Sequence, residues 1–432
     1  MLFTRRTLIT TGLVLGILFL PFIAGALPPF LFWPFFIGSS ALTVYALGFQ
    51  SERAKKLALV PAFVALTITI SDTALRFAPV VPDELVEKWP RMPLVERYVP
   101  NLNYEGDRFN DLSRMAGVKE WREEKHVRLV TDSAGFRNER VEQNRALDLV
   151  LLGDSFGAGG VSQEYTWTSI LARDYGLHTY NLSIPAAGPW HEYINLWAEK
   201  DRLKVGEGSV LVWQLFSGND LDNSYGSLDV NQLPWRGSVG MWIERINKVR
   251  ARSPLRYLLQ KQNRSTDVVA RNFLNGRKLL FYKPYIEASF RTPEEISKHP
   301  HYALLRSTIL AVKRLAESKG LRLAVVLVPA KEEVYSWVWR GAAPWTTETG
   351  PSGFAAIVSD VCAEEDILFL DLKPYLVRES RRLYEEEGQL FYWYDDTHLN
   401  TAGNTFTAPI IYRELVQRAS PRLKEEWRAR PK

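Results

Sequence analysis

Apolar and polar positions alternate on different scales along the 432-residue chain. In the first 80 residues the apolar stretches are long. Leu8–Leu27 and Phe30–Phe49 carry no charge, and Leu57–Ser71 continues the pattern as far as Asp72. About 20 apolar residues in a helix cross the hydrocarbon of a bilayer, so the first two runs predict spanning helices. The third reaches that length with Asp72 and Arg76 placed at the interface, where charge is cheaper than at the centre. This gives a membrane anchor over 1–78 with three transmembrane helices. From 79 to 145 the chain is polar and reads as a connecting segment. Beyond it the scale shortens. Asp148–Leu152, Thr179–Leu182, Ser209–Phe216, Arg322–Val328 and Ile367–Asp371 are short apolar strands. Helical patterns over Thr166–Arg173, Trp190–Asp201, His301–Ser318 and Thr401–Arg418 lie among them. Five strands separated by helices predict a parallel five-stranded sheet covered on both faces, a three-layer, flavodoxin-like α/β domain over 146–418. An insertion at about 221–300 interrupts it, and 419–432 is a charged tail.

Charge changes the picture of the first part. The formal net charge is +5, yet Arg5, Arg6, Arg53, Lys55, Lys56 and Arg76 against Glu52 and Asp72 place four of those charges in residues 1–80. They serve as topology signals and remove the case for a nucleic-acid partner. Arg5 and Arg6 keep the N-terminus in the cytoplasm, the uncharged turn at Pro28-Pro29 lies outside, and Ser51–Lys56 returns to the cytoplasm. The third span then delivers the rest to the periplasmic side of the inner membrane. Thr4–Ile9 also resembles a twin-arginine signal, and Ala24-Gly25-Ala26 a cleavage site. The immediate second apolar run favours an uncleaved hairpin. The single cysteine, Cys362, excludes an internal disulfide framework and Cys-based metal sites.

In such sheets ligands bind beyond the carboxyl ends of the strands. The first strand runs into Gly153-Asp154-Ser155-Phe156-Gly157, and the third ends in Ser217-Gly218-Asn219-Asp220. Tyr394-Asp395-Asp396-Thr397-His398-Leu399-Asn400 precedes the last helix, with Gly403 inside it. A serine hydroxyl needs a base to take its proton, and the base needs a third group to fix its tautomer. A glycine beside the serine permits the tight strand-to-helix turn, and an asparagine at a neighbouring strand end can donate to a developing oxyanion. His299-Pro300-His301 reads as a helix start rather than a metal site.

Gly-Asp-Ser, Asn-Asp and Asp-x-x-His in that order resemble the SGNH (GDSL) hydrolase superfamily over about 146–416. The family's Gly-x-Asn-Asp departs here, with Gly218 one place late. The resemblance implies Ser155 as nucleophile, His398 as base and acid, and Asp395 as triad acid, with Asp396 the alternative. It implies an oxyanion hole of the Ser155 N–H, Asn219 and Gly188, with Ala186 the alternative to Gly188. It calls for no metal and no cofactor. Ser133–Asn138 and Val328–Tyr335 are similar to segments of the alginate O-acetyltransferase-like branch, from which this chain departs because there the Asp-His motif precedes the serine. The expected function is a membrane-anchored serine esterase or O-acyltransferase acting on envelope or secreted polysaccharide. Its expected partners are the acyl-ester substrate, the lipid bilayer and a membrane-bound acyl donor protein. The alternatives are a lipid esterase or thioesterase, and a catalytically silent glycan-binding assembly subunit.

Overall fold

The computed structural model describes residues 97–428, apart from 99, 109, 140–144 and 225–264. The anchor expected over 1–78, the middle of the insertion and the end of the tail lie outside the described residues. No helix among the described residues is long and apolar enough to cross a membrane.

The central sheet is built from β3 (Leu147–Leu152), β4 (Thr179–Asn181), β5 (Val205–Phe216), β8 (Arg322–Val328) and β9 (Leu368–Asp371). The strands lie in the order β4-β3-β5-β8-β9, all parallel. The near-continuous apolar runs follow from this arrangement, since a strand covered on both faces has no polar side. Leu151, Val212, Val326 and Leu370 face one layer with Trp167, Leu171, Leu376 and Ile411. Val150, Leu211, Val325 and Leu327 face the other with Leu196, Ile309, Val358 and Cys362. The period-2 alternation of the strands thus sorts side chains into two cores, each fully buried side chain contributing about 1.5–3 kcal/mol. Cys362 is one of these core groups, fully buried.

Helix ends follow local chemistry. Thr166 Oγ1 accepts from the Ser169 N–H at the start of Trp167–Tyr175, and Gly176 ends that helix at φ 63°. Ser352 caps Gly353–Glu364 in the same way. The closing helix, expected to run unbroken over Thr401–Arg418, is α-helical over Thr401–Ile411 and passes through a π turn at Tyr412–Val416. Pro409 lies within the α-helical part, where its missing N–H leaves the carbonyl one turn earlier without its helical donor. The third strand begins at Val205, earlier than expected, because a register shift opposite Leu147/Leu149 and Gly208 at φ 77° carry it past a bulge.

Two regions differ more from the sequence reading. The segment expected to connect anchor and domain forms an antiparallel pair, β1 (Asn103–Asp107) with β2 (His126–Val130), and a helix Asp111–Ala116 between them. In the insertion, β6 (Val268–Asn272) pairs with β7 (Lys278–Tyr282), and the helices Lys283–Ser289 and Pro293–Ser297 follow.

Candidate active site

Three loops at the carboxyl ends of β3, β5 and the segment after Leu390 converge on one serine. Ser155 opens the helix Ser155–Ala158 directly after β3, and Asp154 caps it, its Oδ1 accepting from the Phe156 N–H at 2.8 Å. The turn is tight because its neighbours are close. A Cβ on Gly153 would overlap Gln214 Oε1, and one on Gly157 would overlap Ser183 Oγ. Gln214 Oε1 accepts from the N–H groups of Asp154 (3.1 Å) and Gly157 (2.8 Å), so β5 holds the turn from beneath. Burial pushes the Asp154 carboxyl up to about 6.

His398 Nε2 lies 2.8 Å from Ser155 Oγ, and its Nδ1 lies 2.6 Å from Asp396 Oδ1. The triad acid favoured from sequence, Asp395, is replaced by its neighbour. Asp395 is fully buried with its carboxylate turned away, accepting from Asn110 Nδ2 and from the Glu123 N–H. Its own carbonyl accepts from Leu112 and Ser113 N–H. Two consecutive aspartates point to opposite sides of the loop, and only one can face the ring. The loop is closed by the Trp393 N–H donating to the His398 carbonyl, then by the Asn400 N–H donating to Phe391. Asn400 Oδ1 caps the helix beyond by accepting from Gly403, where a Cβ would overlap the Phe391 carbonyl.

Burial works to lower the His398 pKa, but the charge and hydrogen bond of Asp396, with Asp111 nearby, outweigh it and the net shift is upward. For Asp396, burial pushes up while Lys125 and His398 pull down, and the carboxyl is held well below the ordinary range. Phe156 forms an apolar floor, stacked on Phe216 at 4.3 Å and set 4.9 Å from the His398 ring.

The expected oxyanion donors are brought together in part. Asn219 sits in the turn after β5, its Nδ2 donating to Tyr285 Oη at 3.3 Å and its Oδ1 buried without a protein partner. Gly188 packs against that same turn. A Cβ there would lie 2.7 Å from both Asn223 Cβ and the Asn223 carbonyl oxygen. Ala186, the alternative, is exposed at φ 60° two residues earlier. The late glycine of the second motif also has a reason. A Cβ on Gly218 would meet the Phe216 ring at 2.5 Å and Tyr285 at 3.1 Å, while Ser217 bonds Glu333 and accepts from the Ala330 N–H.

Sequence reasoning missed a whole side of the site. Lys125 Nζ lies 3.1 Å from Asp396 Oδ2, and Asp111 Oδ2 lies 3.8 Å from His398 Nδ1. Asn110, Asp111, Glu123 and Lys125 all come from the supposed connector, where no motif marks them. Two buried cations also act on the loops. Lys331 Nζ donates to the carbonyls of Asp396 (2.6 Å) and Trp393 (3.2 Å), and burial lowers its pKa to about 8. Arg137 donates to the carbonyls of Ala158 and Gly159, and to Val161 at 2.5 Å, behind the serine turn. Both stand in the segments singled out by resemblance, Ser133–Asn138 and Val328–Tyr335. Asp111, Asp396 and His398 also present ligand-type atoms within 4.8 Å of one another, but Asp396 already spends Oδ1 on His398 and Oδ2 on Lys125. His299 and His301 both bond Asp222, and His301 opens the helix Tyr302–Ser318.

No family model and no curated protein matches the chain. Solved structures similar to it include TesA, at a TM-score of 0.33 and 14% identity over 62% of this chain and 97% of that one. A protein assigned to the G-D-S-L lipolytic family, from Desulfitobacterium hafniense, scores 0.31 at 16% identity over 62% and 98%. The psychrotrophic esterase EstA from Pseudoalteromonas sp. scores 0.31 at 10% identity over 62% and 95%. The chemistry read from the site rests on this chain's own geometry.

Proposed function

We propose that this chain is a serine-dependent acyl-ester enzyme working through an acyl-serine. The observation that carries the reading is the continuous hydrogen-bonded line from Ser155 Oγ through His398 to Asp396. His398 Nε2 takes the Ser155 proton as Oγ attacks the ester carbonyl carbon. The Ser155 and Gly188 N–H groups and Asn219 Nδ2 receive the oxyanion. Collapse breaks the ester bond, and the leaving alkoxide takes the proton from the imidazolium. A second nucleophile, activated by the same imidazole, then releases the acyl group. Water gives hydrolysis; a sugar hydroxyl gives transfer.

The finer reading is O-acetyl transfer to, or removal from, an envelope or secreted polysaccharide on the extracytoplasmic side of the membrane. The three apolar runs of 1–78, the charge placement around them and the likeness of Ser133–Asn138 and Val328–Tyr335 to the O-acetyltransferase-like branch support it. A membrane-bound protein would supply the acyl group in the transfer direction. In detergent-solubilised full-length protein, Ser155→Ala should lower turnover of a small acetyl ester by about 10³-fold or more and abolish labelling by a fluorophosphonate. Undiminished turnover would sink the reading. Product analysis with acetylated glycans, with and without acceptor sugars, separates hydrolysis from transfer. A preference for long acyl chains would move the substrate to lipids.

A further inference from the structure

Asp396 and His398 are approached from outside the α/β core by two opposite charges. Lys125 precedes β2, its side chain is 6% exposed, and its Nζ bonds the carboxylate oxygen of Asp396 that does not face the ring. The ammonium rests near the Trp393 ring, 5.0 Å from its centroid. Gly160 makes room for this arrangement, since a Cβ there would lie 3.3 Å from both Lys125 Nζ and His398 Cβ. Asp111, in the first turn of Asp111–Ala116, reaches to 3.8 Å from His398 Nδ1. Its carboxylate is 42% exposed and lies 3.7 Å from Arg114.

We propose that Lys125 and Asp111 are opposed positioning residues which set the basicity of His398. Lys125 fixes the outer oxygen of Asp396 so that the inner one meets Nδ1, and Asp111 favours the imidazolium. The inference rests on the acyl-serine reading and concerns how that site is tuned. Other charged groups facing the pair have different partners. Asp154, from the serine turn, caps its own helix. Lys331 spends its ammonium on loop carbonyls, and Asp395 is turned to Asn110 and Glu123. Among the described residues, Lys125 alone contacts Asp396 Oδ2 as a cation, and Asp111 alone joins Asp396 within 4 Å of the ring as an anion.

The signs are opposite, which makes the test specific. With Lys125→Met, neutral His398 leaves an uncompensated buried carboxylate, so the Asp396–His398 pair takes up a proton more readily. With Asp111→Asn, the imidazolium loses a favourable charge. In full-length protein the acid limb of the kcat/KM profile for a small acetyl ester should therefore rise by about half a pH unit or more in Lys125→Met. It should fall by about as much in Asp111→Asn, and Lys125→Arg should restore the wild-type position. A merely structural role would lower the rate without moving the limb. If Lys125→Met does not fold, the downward move in Asp111→Asn, at a solvent-facing position, still decides. Limbs that stay in place, or move in the same direction, overturn the proposal while Ser155→Ala remains inactive. Turnover surviving in Ser155→Ala would instead overturn the acyl-serine reading.

Discussion

The five-stranded core and the segment that precedes it are encoded in different ways, and both reach the same histidine. The core is written in repetition. Strands such as Arg322–Val328 are apolar at nearly every position because both faces are covered, and 0–4% exposure along Leu323–Val328 shows how completely. The segment 97–130 has no such repetition. Its strand β1 alternates between exposed and half-buried residues, and its helix Asp111–Ala116 is short. What fixes it is a handful of polar contacts, from Asn110 to Asp395, Glu123 to Asp395 and Lys125 to Asp396. Repetition builds a scaffold that tolerates the loss of one side chain. Single contacts build a site that does not.

The sharpest way to break that contrast is at the two adjacent aspartates. Asp396→Asn should lower kcat by about 10³–10⁴-fold, because an amide cannot hold the productive tautomer or stabilise the imidazolium. Asp395→Asn should cost far less, about tenfold, since its carboxylate contacts the segment and not the ring. Steady-state kinetics on a small acetyl ester compares the two directly. Equal losses would mean that the loop turns over during catalysis and that Asp395 shares the role. The core should show the reverse behaviour. Leu211→Ala, fully buried on β5, should reduce stability by about 2–5 kcal/mol through lost burial and a residual cavity. Its kcat per folded molecule should stay within about twofold of wild type, because the cavity lies in the layer beneath the strands. Chemical denaturation and kinetics on one preparation test both halves.

The central strands, their parallel arrangement and the serine turn were legible because periodicity, glycine and strand ends are local signals. The pairing of His398 with Ser155 followed from motif order. The choice between Asp395 and Asp396 was not legible, because spacing alone does not say which way consecutive side chains point. It is decided by Asn110 and the Glu123 N–H, which hold the Asp395 carboxylate, and by Lys125, which holds one oxygen of Asp396 while the other meets His398. Those partners lie more than 270 residues away in sequence. Between Gly188 and Ala186 the sequence favoured the glycine without a reason from packing, and that reason is non-local: Gly188 lies against the turn after β5, where a Cβ would meet Asn223. Lys331 and Arg137 stood in noted segments, yet a single cation in a short polar segment has no pattern that reveals its carbonyl partners.

Asn110 tests the contrast most finely, since it touches no reacting group. Its Nδ2 bonds Asp395 Oδ1 and also donates to the Glu123 carbonyl at 3.4 Å, joining the segment to the loop. Asn110→Ala removes one charge-assisted bond and leaves Asp395 with the Glu123 N–H, so a loss of about 1–2 kcal/mol in stability is expected. The accompanying fall in kcat/KM, about threefold to tenfold, should be independent of pH because no charge has changed. Asn110→Asp keeps the shape and sets two carboxylates where one donor and one acceptor met. At low pH they share a proton and the contact survives. As pH rises both cannot ionise in a buried site, and the repulsion pushes the loop away. The aspartate variant should therefore match wild type most closely in acid and lose activity towards alkaline pH, ahead of any change in Asn110→Ala. Identical pH profiles for the two variants would show that the segment merely covers the loop, and does not hold it.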